Sequence, residues 1–236
     1  MTDIWYPNGT KVLGVDLADN TLINVAGESG VGKSFLLRQL LMDADYGPDE
    51  VLIGMSEAHA RTTYKLPARI VPIRFLSDAE DIIKGLRAAV KEGRRVPKVF
   101  AYDSLSGGGD HEMTGYNDDP ILNKSGARDK LAEYGKFGDD VRSFYTRISA
   151  DLPCDVVVMM TTKESVAKGV ELCIPGNVVP ANWTRWAAIT LYMKQHEVIF
   201  DPAVDTPAPR PHRTVYIDNT SNPPVGRVIN RYIYTM

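Results

Sequence analysis

Cysteine is scarce in this chain of 236 residues: Cys154 and Cys173 are the two it has, too few for a disulfide framework and without the spacing of a metal cluster. Both read as plain thiols of a protein from a reducing compartment. Long apolar runs are also missing. No stretch approaches the roughly 18 consecutive apolar residues of a membrane span, and the segment from Met1 to Lys11 lacks a basic stretch followed by an apolar one. The chain is therefore read as cytosolic, with no membrane partner. Nor is there an excess of positive charge: 27 Lys and Arg stand against 30 Asp and Glu, a formal net charge of -3. That excludes a general electropositive attraction to nucleic acid, so any such contact needs a local basic strip or an oligomer that assembles one. Repeats and low-complexity segments are absent as well.

What is present suits a self-folding globular chain, with 44% hydrophobic and 24% charged residues of mixed sign. The length allows one large domain or two small ones. One domain over 1–236 is the simpler reading, with a core at about 20–165 and a β-rich extension at about 166–236. Thr21–Ala26 (TLINVA), Val51–Met55 (VLIGM), Val99–Tyr102 (VFAY) and Cys154–Met160 (CDVVVMM) are short apolar runs that predict buried strands. Arg69–Phe75 predicts another, nearer an edge because Pro72 cannot donate to a ladder. Leu36, Leu37, Leu40 and Leu41 recur at helical spacing until Gly47-Pro48. Ser77 and Glu80 spell a capping box ahead of a helix over about 78–92. A stripe of Leu131, Tyr134, Phe137, Val141, Phe144, Ile148 and Leu152 predicts another helix, whereas the glycine-rich Ser104–Gly126 predicts a long loop. Beyond Thr161, Ala188–Met193, Glu197–Phe200, Thr214–Ile217 and Val228–Tyr234 read as strands without helices between them. Together these predict an α/β fold, a mostly parallel sheet with an antiparallel C-terminal extension.

The chemistry concentrates where the first strand meets the first helix. Gly27, Glu28, Ser29, Gly30, Val31, Gly32, Lys33 and Ser34 fit G-x-x-x-x-G-K-[ST], the P-loop signature. Glycines let the backbone wrap a phosphate, and its N–H groups and the helix N-terminus supply positive potential. Lys33 then reaches the β/γ-phosphates and Ser34 binds Mg²⁺. The expected nucleotide contacts run from Gly27 to Phe35. Asp103, ending a buried strand about 70 residues further on, is the expected second Mg²⁺ partner. Glu57 and His59 follow the second strand and so belong to the same sheet edge; Glu57 is the candidate to orient and deprotonate an attacking water, and His59 reads as a surface or supporting histidine.

The order of GESGVGKS, SEAHA, VFAYDS and a β-rich tail resembles the RecA-like P-loop ATPases, especially the small recombinase or single-strand-annealing ATPases of bacteriophages. The resemblance spans roughly residues 20 to 200, strongly at the P-loop and loosely elsewhere. It implies a three-layer RecA-like fold, ATP and Mg²⁺ as cofactors, Glu57 as the water-activating acid and Asp103 as the magnesium partner. It also implies a homo-oligomer acting on single-stranded DNA in recombination or replication, in the host cytoplasm for a protein of bacteriophage origin. Family members often complete the site with a basic residue from a neighbouring subunit. Arg185, Arg227 and Arg231 are candidates, with Arg227, in the turn PPVGR, the choice. The sensor position reads Thr161-Thr162-Lys163, where the family more often has an amide or histidine, and coupling to DNA is the property that departure bears on.

Other features divide between readings. Asp110, Glu112, Asp118 and Asp119 outweigh Lys124 in the Ser104–Gly126 segment, which argues against phosphate contact there and leaves a lid or protein-contacting role or plain disorder. Lys84, Arg87, Lys91, Arg94, Arg95 and Lys98 form the one dense basic stretch, either a DNA strip or charge placed to suit a helix C-terminus. Trp183 and Trp186 flank Arg185 as packing residues, interface anchors or stacking platforms. Asn123-Lys124-Ser125-Gly126 lacks the Asp of a guanine-specifying motif, and the strand-rich C-terminal third is unlike a small-molecule kinase. The contrasting function is a nucleotide-dependent assembly switch with slow hydrolysis and no direct DNA contact.

Overall fold

The structure is a computed structural model that describes residues 20–56, 68–149, 152–165, 169–175, 186–196, 212–218 and 231–234. In chain order the elements are β1 (Leu22–Gly27), α1 (Lys33–Asp43), β2 (Val51–Met55), β3 (Arg69–Pro72), α2 (Leu76–Lys91), β4 (Val99–Asp103), α3 (Leu105–Asp118), α4 (Lys130–Ser149), β5 (Asp155–Ser165), β6 (Gly169–Leu172), β7 (Ile189–His196), β8 (His212–Asp218) and β9 (Arg231–Tyr234). The strands lie in the order β3-β2-β4-β5-β1-β7-β8-β9, with β6 paired to β5. From β3 to β7 every neighbouring pair is parallel, and β8 and β9 then add antiparallel. The α/β class, the mostly parallel sheet and its antiparallel C-terminal extension are as the sequence predicts, and β3 is the edge strand that Pro72 predicts.

Side-chain alternation along the parallel strands builds two cores, one on each face of the sheet. Leu22, Ala26, Phe100, Tyr102, Val156, Val158 and Met160 face α2, α3 and α4, packing with Ile83, Leu105, Phe137, Val141 and Phe144. The alternate residues Val25, Ile53, Met55, Ala101, Val157 and Met159 face α1 and pack with Leu36, Leu37 and Leu41. Helices on both faces of one sheet make three layers. One polar pair is sealed into the larger core: Tyr145 Oη donates to Asn24 Oδ1 at 2.9 Å, which satisfies the carboxamide oxygen of a residue with no exposed surface.

The Ser104–Gly126 segment corrects the sequence reading. Most of it is helix α3, not loop. Ser104 is its N-cap, the hydroxyl accepting from Gly107 N at 3.1 Å. Two glycines of the triplet serve close approach: a Cβ on Gly108 would overlap Tyr102 Oη, and one on Gly109 would stand 2.9 Å from the Phe137 ring. Only the remainder is a connector, and it is closely bonded. Asn123 Oδ1 accepts from Ser125 N, Ser125 Oγ and Ala127 N, and Arg128 grips the fully buried Glu133 through Nε and Nη2 while Nη1 reaches Asn117.

The capping box also lies elsewhere. Helix α2 starts at Leu76, and Asp78, not Ser77 or Glu80, accepts from Arg74 N at 2.8 Å and Phe75 N at 3.0 Å. Glu112 of α3 adds a bond from Leu76 N at 2.9 Å, and burial pushes its carboxyl up from the ordinary range. The long α4 stripe turns inward only from Phe137, leaving Leu131 84% exposed ahead of the core. β5 runs on to Ser165, past the predicted Met160, because its end pairs with β6. The predicted strand Glu197–Phe200 lies outside the described residues.

If the α3 glycines serve packing, Gly108→Ala should destabilise the fold by about 1–3 kcal/mol through overpacking. Gly135→Ala, at an exposed α4 position with open space around it, should stabilise it by up to about 1 kcal/mol through helix propensity. Urea titrations of the two variants against the parent decide, and a neutral Gly108→Ala would count against the close-approach account.

Candidate functional site

The C-terminal edge of the parallel strands brings Gly27–Ser34 and Asp103 together. β1 ends at Gly27, where a side chain has no room: a Cβ would stand 2.7 Å from Met193 O of β7 and 2.9 Å from Val31 Cγ1. Gly30 and Gly32 adopt φ of 77° and 100°, the left-handed region that glycine enters without strain. Val31 between them is buried and pins the loop into the α1-side core. Gly32 is the N-cap of α1 and supplies no side-chain cap, and the first turn of α1 has no acidic residue. The loop thus presents backbone N–H groups and a helix N-terminus without a carboxylate of its own helix to offset them. Lys33 lies back across the loop, its ammonium donating to Gly27 O and Glu28 O, each at 2.9 Å.

Two residues 69 positions apart meet at the mouth of this loop: Ser34 Oγ donates to Asp103 Oδ2 at 3.0 Å. Asp103 closes β4 and is 6% exposed. β5 lies between β1 and β4, so the contact spans an intervening strand. A hydroxyl and a carboxylate at one spot are hard oxygen donors, the set that suits Mg²⁺ with phosphate and water oxygens completing six positions. Among the described residues no group of three or more His, Cys, Asp or Glu forms a self-sufficient metal cage. The pair fits an ion that arrives with its phosphate.

Next to this pair runs a polar bracket that motif reading missed. Ser56, directly after β2, donates from its N to Asp103 O at 2.8 Å. Its hydroxyl donates to Ser104 O at 2.8 Å and accepts from Ser104 N at 2.9 Å. His111 Nε2 contacts Ser56 O at 2.9 Å. Ser106 Oγ accepts from Thr161 N at 2.9 Å, and Thr161 sits in register with Gly27 across the β1–β5 pair. The ends of β2 and β4 and the Thr161 position of β5 are therefore joined through α3. Ser104 carried a signal, being a good N-cap type straight after a strand. The bonds of Ser56, Ser106 and His111 are tertiary and carried none.

The remaining sequence candidates divide. Glu57, His59, Trp183, Arg185 and Arg227 lie outside the described residues, and Arg231 opens β9. Trp186 is half-buried and packs on Tyr145, ring centroids 5.1 Å apart. The basic stretch is largely matched by acceptors: Lys84 pairs with Asp81, Arg94 with Glu92, and both Arg95 and Lys98 with Glu50. Arg87 donates to the carbonyls of Arg147 and Ile148 at the end of α4. Burial pushes the Cys154 thiol up to about 12, which makes it inert as a nucleophile at neutral pH. Among the described residues no helix is long and apolar enough to cross a membrane.

No family model matches the chain, and no curated protein matches it. Among solved structures it is similar to the flagellar accessory protein FlaH from Methanocaldococcus jannaschii, at 14% identity over 84% of this chain and 77% of that chain, with a TM-score of 0.42. That score is too low to support an inference about the site, and the fold class stands on the strand pairing itself.

Proposed function

We propose that this chain is a Mg²⁺-dependent ATP-binding and hydrolysing protein of the RecA-like kind, working as an oligomer on single-stranded DNA in recombination or replication. The observation that carries the nucleotide reading is the 3.0 Å contact of Ser34 Oγ with Asp103 Oδ2 beside the Gly27–Ser34 loop. The loop amides and the Lys33 ammonium cradle the polyphosphate, and Ser34 and Asp103 hold the ion. When bound, Mg²⁺ neutralises charge on the β- and γ-phosphate oxygens. Glu57, one residue beyond the anchored Ser56, orients the attacking water and takes its proton. Arg227 of a neighbouring copy stabilises the charge that develops on the transferring group.

A second reading is supported by charge. The net charge is -3, and the densest basic stretch is tied to carboxylates and carbonyls. Both favour a nucleotide-dependent assembly switch that hydrolyses slowly and leaves DNA alone.

Calorimetry with Mg·ATP should show association that Lys33→Ala weakens at least about tenfold, since a charge-assisted phosphate contact contributes on the order of 1.5–3 kcal/mol. Absence of binding by the parent protein to both Mg·ATP and Mg·GTP would refute the nucleotide reading. Glu57→Gln and Arg227→Ala should each bind Mg·ATP like the parent while turnover falls by about 10² or more; a fully active variant removes that residue from its role. The two functions separate in an ATPase assay with and without single-stranded DNA across a salt series. Stimulation that fades steeply with salt supports the DNA role, and rates that ignore DNA at every salt concentration support the switch.

A further inference from the structure

We infer that His111, on α3, is a positioning residue for the phosphate site, holding the Ser56 end of β2 against the Asp103–Ser104 end of β4. This rests on the nucleotide-hydrolysing reading above.

The contact has a defined chemistry. A carbonyl oxygen only accepts, so the 2.9 Å approach of His111 Nε2 to Ser56 O is a hydrogen bond donated by the ring and fixes the proton on Nε2. It closes a ring of interactions. Ser104 caps α3 and His111 lies six residues after its first residue, about 9 Å along the axis at 1.5 Å per residue. From there the imidazole returns to Ser56, which is itself bonded through N to Asp103 O and through Oγ to both backbone groups of Ser104. Helix, serine and strand end thereby constrain one another. Asp103, whose carboxylate meets Ser34, sits inside that ring.

Two facts separate positioning from plain packing. His111 is exposed, so it contributes little buried surface and its removal leaves both cores intact. The carbonyl it holds is that of Ser56, the residue bonded to both Asp103 and Ser104, so the contact acts on the group that fixes the end of β4. Loss of such a contact shifts reacting groups without removing a phosphate ligand, and misplacement on the scale of 1 Å costs catalysis on the order of 10²-fold.

The test compares His111→Ala with His111→Gln, whose side-chain amide N–H can replace the Nε2 donor. In His111→Ala, kcat for ATP should fall by about ten- to a hundredfold, while KM and the calorimetric Kd for Mg·ATP change less than about threefold. His111→Gln should recover kcat to within about threefold of the parent. In the nucleotide-free protein, hydrogen exchange at the Ser104 amide, which donates to Ser56 Oγ, should quicken in His111→Ala and return to the parent rate in His111→Gln. Parent-like kcat in His111→Ala, or a glutamine variant no better than alanine, overturns the inference. So does a His111→Ala protein that loses Mg·ATP binding in step with activity, which would make the residue merely structural. These outcomes leave the nucleotide reading standing; a parent protein that turns over no nucleotide removes that reading, and this inference with it.

Discussion

The hydrogen bond between Ser34 and Asp103 is where the fold and the chemistry of this chain meet. Neither residue can be placed without the sheet. Ser34 stands at the start of α1, whose angle is set by the loop leaving β1, and Asp103 stands at the end of β4, two strands away. A 3.0 Å contact between them requires the β1–β5 and β5–β4 registers to be right. In a parallel sheet buried on both faces, a slip of one residue would turn each core side chain to the wrong face. Burial of Ile53, Phe100, Val156, Val158 and Met159, each without exposed surface, therefore fixes the register on which the polar contact depends. The hydrogen bond itself contributes on the order of 1 kcal/mol; the precision comes from the apolar core.

The close seating of α3 extends that logic. A helix that follows straight from the end of a central strand would ordinarily be held off by its own side chains. Gly108 and Gly109 let its backbone come down onto Tyr102 and Phe137, and Ser106 then reaches the backbone of β5. Glycine at these helical positions costs roughly 1 kcal/mol each against alanine in propensity. The loss is offset by contact with two fully buried rings and by the Ser104 cap. At its far side α3 is tied to α2 through Glu112 and to the connector through Asn117 and Arg128.

The β-strand and P-loop portions of this architecture were legible in sequence because their signals are local. VLIGM, VFAY and DVVVMM are continuous apolar runs of strand length, and GESGVGKS has fixed spacing between a strand and a helix. The α3 helix was illegible for a physical reason: glycine lowers helix propensity whether it sits in a flexible loop or under a ring, and only the tertiary neighbour distinguishes the two. The cap of α2 shows the same limit. Ser77 and Glu80 have the spacing of a capping box, yet Asp78 holds the helix start because Phe75 supplies the capping position. Within the site, Ser34 and Asp103 meet in a hydrogen bond, whereas Ser56, Ser106 and His111 act through bonds between distant residues that no periodicity encodes.

Charge sets the terms on which the two functional readings compete. A nucleic-acid surface needs cations whose partners are phosphates, because affinity there comes from displacing condensed counterions. Arg94, Arg95 and Lys98 already face Glu92 and Glu50, so recruiting them to DNA would first expose carboxylates to the same polyanion. The exposed Arg94–Glu92 pair contributes only about 0–1 kcal/mol, and the cations paired to the half-buried Glu50 stay at the surface, so the pairing lowers the attraction without abolishing it. The Gly27–Ser34 loop is different. Its positive potential comes from backbone amides and the α1 N-terminus, with no acidic residue in the first helical turn. Attraction for anions is thus local and built into the backbone at residues 27–34, while elsewhere it is offset by side chains. On the proposed reading, a nucleotide needs only the backbone at residues 27–34 of one chain, whereas following a DNA strand needs the surface repeated in an oligomer.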